Sequence, residues 1–226
     1  MHPTLFLKDD IYEVWHKLDS KFKQPEACIK VNLTPQNYRL NVAETAYMHA
    51  FEYIIGHHYS KKLAQPGKVG LDVGLFADEK FITFSFDGYN DKMLSVVELA
   101  LTEFKVAIND MNGEQFHYHM KEYKKSLQNC SLNAGYFGND ELCHILQNCY
   151  HTGYELVRTI DELSFEGLKQ IIEELFKHLK VQILAQGNIT KEQTEKVVEI
   201  FKSNFKCEAV DEVNKNNFNY PHKYFN

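Results

Sequence analysis

No stretch of this 226-residue sequence approaches the roughly 18 uninterrupted apolar residues of a membrane helix, so no membrane partner is expected. The opening MHPTLFLKDDIYEVW lacks the basic start and the apolar core of a secretory signal. Positive charge is in short supply: 25 Lys and Arg stand against 31 Asp and Glu, a formal charge of −6. A non-specific nucleic-acid surface needs clustered cations, so no nucleic-acid partner is expected either. Cysteines are few and odd in number (28, 130, 143, 149 and 207) and follow no framework spacing. Free thiols in a reducing, cytoplasmic compartment are the expectation. Phosphate-cradling glycine loops and the G-x-S-x-G nucleophile elbow are absent from the sequence, as are internal repeats.

What is present is an ordinary globular composition, 44% hydrophobic and 25% charged, long enough for one domain or two packed halves. Residues 1–26 read as an N-terminal arm, with Pro25 at the entry to the first strand. Ala27–Thr34 alternates Ile29, Val31 and Leu33 with polar neighbours, the period of a half-buried strand. Asn41–Ser60 predicts a helix whose apolar stripe centres on Ala43, Ala50 and Ile54, and Lys61–Lys68 a loop. Val69–Ala77 and Lys80–Asp87 predict a hairpin turning at Asp78-Glu79, after which Asn90 or Asp91 can cap a helix over Met93–Val106. Gly113–Asn129 is helix-compatible, Ser131–Gly138 reads as a loop and Asp140–Tyr150 as a helix. Ser164 caps a strongly striped helix over Phe165–Leu179, Val181–Gln186 is a short buried strand, and Thr190 with Gln193 opens a last helix. Residues 27–207 thus form the expected domain and 208–226 a C-terminal linker. The β-α-β-β-α-α order predicts an α+β fold, a two-layer sandwich of a mainly antiparallel sheet with helices packed on one face.

Candidate chemistry centres on the 41–60 helix. His49 and Glu52 project away from its apolar stripe, and their spacing is three quarters of the inverted zinc motif H-x-x-E-H. In that motif two imidazoles one turn apart bind zinc and the glutamate activates water. Tyr53 stands where the second histidine belongs, so the motif is degenerate: no catalytic residue, metal ligand or cofactor is expected in this chain. Cys143, Cys149, His144 and His151 cluster in sequence, but C-x5-C-x-H is not a zinc-finger spacing, and thiols six residues apart diverge on a helix. His117-x-His119 diverges on a helix or strand and reads as a solvated pair, and His57-His58 as a packed or surface pair.

Five stretches in order, WHKLDSKFKQPEA at 15–27, AETAYMHAFEYI in the helix, GLDVGLFADEKFITFSFDGYNDK at 70–92, LSFEGLKQIIEELF at 163–176 and AQGNITKEQ at 185–193, resemble the insulin-degrading enzyme and nardilysin branch of the inverzincin (pitrilysin-like) metallopeptidases. The GYNDK and GNIT stretches are the most specific. Such enzymes have four homologous α+β domains in two bowl-shaped halves around a closed chamber, with zinc held by the first domain. The resemblance is to the third, a non-catalytic domain that opens the C-terminal half. It implies zinc in the first domain of a parent protein, peptide substrates, and the other domains of the same polypeptide as partners; a homo-oligomer is also compatible. The alternative is a free-standing peptide-binding or regulatory module of the same fold.

Overall fold

The computed structural model describes residues 2–35, 40–77, 81–147 and 150–210. The expected turn at Asp78-Glu79, Cys149 and the stretch 211–226 lie outside them. Six strands form one sheet: β1 (Thr4–Lys8), β2 (Tyr12–Leu18), β3 (Glu26–Pro35), β4 (Leu71–Ala77), β5 (Ile82–Tyr89) and β6 (Leu179–Gly187). Their spatial order is β1-β2-β6-β3-β5-β4, antiparallel throughout except for the parallel β2–β6 pair.

Strand faces follow the period of two. Ile29, Val31 and Leu33 on β3, Phe84 and Phe86 on β5, and Ile183 and Ala185 on β6 are buried, whereas Cys28, Lys30, Asn32, Thr83, Ser85 and Gln182 point to the open face. The hairpin pairs as its alternation requires, from Leu71 opposite Gly88 to Ala77 opposite Ile82. Val69 lies before the first strand and is exposed.

The helices cover the buried face. They are α1 (Val42–Lys62), α2 (Ala64–Lys68), α3 (Met93–Asp110), α4 (Gly113–Cys130), α5 (Ala134–Leu146), α6 (Gly153–Thr159), α7 (Phe165–Leu175) and α8 (Lys191–Asn204). Capping boxes open four of them, Asn41/Glu44 at α1, Asn112/Gln115 at α4, Thr152/Glu155 at α6 and Thr190/Gln193 at α8, and Ser164 caps α7. α1 lies between β4 on one side and α3, α4, α6 and α7 on the others. Under it Phe84 meets Phe104, Phe201 and Phe205, a cluster that Phe51 and Phe176 extend.

Several sequence expectations change. Residues 1–26 are not an arm: they supply β1 and β2, whose Tyr12, Val14 and His16 are buried, and the His16 ring nitrogen Nε2 lies 2.8 Å from the Ile189 carbonyl. β1 pairs with β2 itself, and the other partner of β2, β6, stands about 170 residues away, where local pattern does not disclose it. Part of the expected 61–68 loop is the short α2. Neither Asn90 nor Asp91 caps α3; Asn90–Lys92 is a 3₁₀ turn running directly into it. Ser131–Gly138 is not all loop, since Asn133 caps α5 at Gly135 and Tyr136. Leu179 leaves the helix and opens β6.

One junction fixes the ends of β3, β5 and β6. Asn90 donates from Nδ2 to the Asn188 carbonyl at 2.9 Å, its backbone N–H reaches Pro25 at 3.0 Å, and the Asn188 N–H reaches Glu26 at 2.7 Å. Gly88 (φ 136°) and Gly187 (φ 102°) turn the backbone there. Among the described residues no helix is long and apolar enough to cross a membrane.

Candidate functional site

The side of α1 that carries the degenerate motif faces a cavity of about 740 Å³ between α1, α4, α5 and α6. The sequence reading of α1 as a helix with one apolar stripe is too simple. Thr45, Tyr47, Met48 and Ile55 are buried along with Ala46, Ala50, Phe51 and Ile54, because neighbouring helices as well as the sheet cover it. His49 and Glu52 are part-buried, and Tyr53 is exposed on the cavity side.

All three motif residues line the cavity. His49 Nδ1 lies 3.9 Å from Glu52 Oε2, and its ring sits 4.9 Å from that of Tyr123 on α4. The Tyr53 ring stacks on His119 at 6.3 Å and lies 5.9 Å from Tyr123. His57 meets His119 edge-on at 5.8 Å. Burial, and then the nearby His57, hold the His119 imidazole below its ordinary range. The pairs expected from adjacent histidines therefore split. His119 turns into the cavity while His117 is exposed, and His57 lines the cavity while His58 bonds Glu103 at 2.7 Å on the α3 side.

The far wall comes from α5 and α6. Asp140 is buried and accepts from the Tyr150 hydroxyl at 2.7 Å and from the Gly153 N–H at 2.9 Å. Burial, followed by that bond to Asp140, pushes the Tyr150 phenol well above its usual range. The described members of the sequence cluster around 143–151, Cys143, His144 and His151, turn to separate partners, and Cys149 lies outside the described residues. Asn139 Nδ2 reaches Cys143 Sγ at 3.8 Å, His144 Nδ1 lies 3.2 Å from the Tyr150 carbonyl, and His151 Nε2 lies 2.9 Å from the Leu40 carbonyl.

These donors do not fit zinc. A catalytic zinc takes about three protein ligands and keeps one position open. Here one imidazole and one carboxylate are paired with each other, and a tyrosine stacked on a histidine holds the next position. Among the described residues no three His, Cys, Asp or Glu side chains gather as a metal-binding group. Among the described residues the cavity lining offers aromatic faces, hydroxyls, imidazoles and two carboxylates, and no Lys or Arg. Sequence reasoning missed Tyr123, Tyr136, Asp140 and Tyr150. The Phe116, Met120, Tyr123, Leu127 spacing and the T-x-x-E box at Thr152 were the available signals.

Comparison with known proteins places the whole chain rather than the cavity. The chain is 24% identical over 195 residues to the insulin-degrading enzyme of Drosophila melanogaster, covering 85% of this chain and 19% of that protein. It is 26% identical over 187 residues to nardilysin of Rattus norvegicus, covering 80% of this chain and 16% of that one. The crystal structure of pitrilysin superposes with a TM-score of 0.79 at 13% identity, over 90% of this chain and 22% of that chain, which shows a shared fold. The chain thus spans about a fifth of the length of the relatives it matches. The family described as "Middle or third domain of peptidase_M16" matches residues 1–159, more than half of the sequence, and the chain belongs to that family.

Proposed function

We propose that this chain is the non-catalytic third domain of a zinc metalloendopeptidase of the insulin-degrading enzyme and nardilysin type. In this reading it forms part of the C-terminal half that encloses the peptide-degrading chamber. The catalytic zinc belongs to the first domain of the parent polypeptide, and this chain contributes wall and inter-domain contacts. The domain comprises residues 27–207 together with the two strands before it and residues 208–210 after it, where Glu208 pairs with the backbone at Lys177 and Leu179 and Val210 is buried, so that the expected linker starts beyond 210 rather than at 208; the parent works in the cytoplasm. The observation that carries the reading is the position of His49, Glu52 and Tyr53. They keep the first part of the inverted zinc motif without its second histidine, they line a cavity, and they lack the donor set for zinc.

The test is Glu52→Gln in the whole natural polypeptide, with kcat/KM on one peptide and zinc content measured alongside. A wall residue changes turnover by less than about tenfold and leaves the metal in place. A general acid–base group typically contributes about 10²–10⁴-fold. A loss of about a thousandfold would place chemistry on α1 and overturn the reading.

A further inference from the structure

Gly56 stands in the interior of α1, where glycine weakens a helix relative to alanine. No neighbour requires it, since a Cβ there would meet nothing within 4 Å. It lies one turn after Glu52 on the same face, and both line the cavity between α1, α4, α5 and α6. The missing side chain leaves a gap in the α1 wall beside a carboxylate. Glu52 keeps 28% of its side chain exposed, whereas Asp140, the other carboxylate among the described lining residues, is buried and already accepts from Tyr150 and Gly153. Ring faces stand next to Glu52: Tyr53, 47% exposed, lies 5.9 Å from Tyr123 and stacks on His119 at 6.3 Å. At about 740 Å³ the space falls in the range of small-ligand pockets.

A carboxylate beside electron-rich ring faces attracts a cation and repels an anion. Burial and the neighbouring His57 hold the His119 imidazole below its ordinary range, so at neutral pH it presents a ring face rather than a positive charge. No Lys or Arg among the described residues lines the space. We infer that this cavity is a subsite for a cationic side chain of a bound peptide, lysine or arginine. Glu52 is its counter-charge, the Tyr53 and Tyr123 rings lie along it, and the gap beside Gly56 is its seat. That the cation arrives on a peptide rests on the proposed function above; that it is a cation follows from the lining. The subsite selects a side chain and takes no part in bond cleavage.

The experiment titrates the whole natural polypeptide with the N-acetyl methylamides of lysine, arginine and norleucine, followed by ligand-observed NMR. Lysine and norleucine differ only in the ammonium group. The expected result is that lysine, arginine or both bind about three- to tenfold tighter than norleucine, the better of the two showing whether ammonium or guanidinium is preferred. Glu52→Gln should bring that preference below about twofold and leave norleucine binding where it is. Gly56→Leu keeps the charge and fills the gap, and should weaken the preferred cationic probe by at least about threefold. Equal binding of the charged and uncharged probes would overturn the inference. So would a preference that survives either substitution, which would place the cation at another site, or an equal loss of all three probes in Glu52→Gln. The probes carry no bond between two residues to cleave. Their outcome is therefore separate from the kcat/KM and zinc content by which the third-domain reading stands or falls.

Discussion

Phe84 is the residue on which the sheet–helix interface can be tested most directly. Its side chain is fully buried at the centre of β5, with ring centroids 5.1 Å from Phe104, 5.9 Å from Phe201, 6.2 Å from Phe205 and 6.4 Å from Phe86. Phe84→Ala removes a ring whose burial is worth about 1.5–3 kcal/mol. It also leaves a cavity among four other rings that cannot collapse without moving α3 and α8 together. Edge-on aromatic contacts add about 0.5–1.5 kcal/mol per pair beyond area. The total should be about 3–5 kcal/mol, the usual range for Phe→Ala in a core. For a chain of this size that lowers Tm by about 6–20 °C, at 2–4 °C per kcal/mol. Urea melts should show the midpoint falling with the slope unchanged. Lys30→Ala, on the open face of the neighbouring strand β3, should stay within about 0.5 kcal/mol. A Phe84→Ala loss below about 1 kcal/mol, or equal losses at the two positions, would mean that the faces of the sheet are assigned wrongly.

Two further outcomes follow from the geometry. Gly187→Ala should cost about 1–3 kcal/mol in the same melts, because φ is 102° and a Cβ would sit 2.5 Å from the Glu26 carbonyl oxygen and 2.9 Å from Ala27 Cα; a neutral variant would refute the strain. His119 has its folded-state pKa below the ordinary 6.5, so the unfolded chain takes up the proton first as pH falls. Its contribution to stability is therefore complete above about pH 6.5 and is lost as pH drops through the lowered folded value. Melts at pH 7.5 and 5.5 should show a smaller acid loss in His119→Gln than in wild type, and an equal loss would sink this account.

Elements whose signal is local were legible from the sequence. The hairpin, β3, the Ser164 cap and the Thr190/Gln193 box each need only a few adjacent residues, and each stands where the pattern puts it. The first 26 residues were misread although β1 and β2 pair with each other locally; only the β2–β6 pairing that builds this ribbon into the sheet comes from the other end of the chain. α5 was placed too late, at Asp140–Tyr150 instead of Ala134–Leu146, because Gly135 and Gly138 look like loop residues and its apolar positions do not point to the domain core. The degenerate motif was visible as His49, Glu52 and Tyr53. Its cavity was not, since four separated helices build it and Asp140 matters through contacts with residues 10 and 13 positions on.

The position of β6 has a consequence for how this domain can be divided and made. The family match ends at residue 159, yet β6 begins at Leu179 and stands in the middle of the sheet, between β2 and β3. A chain cut at that boundary would hold two separate sheet fragments, a β1–β2 ribbon and a three-stranded β3–β5–β4 piece, each with a bare inner edge and no strand to join them. During synthesis the same holds until the last strand emerges, so the N-terminal ribbon must wait for a partner made some 170 residues later. Long-range pairing of this sort slows folding and leaves strand edges open to wrong partners in the meantime. The smallest piece that can close its sheet therefore runs from the first strand through β6, whatever boundary sequence similarity suggests.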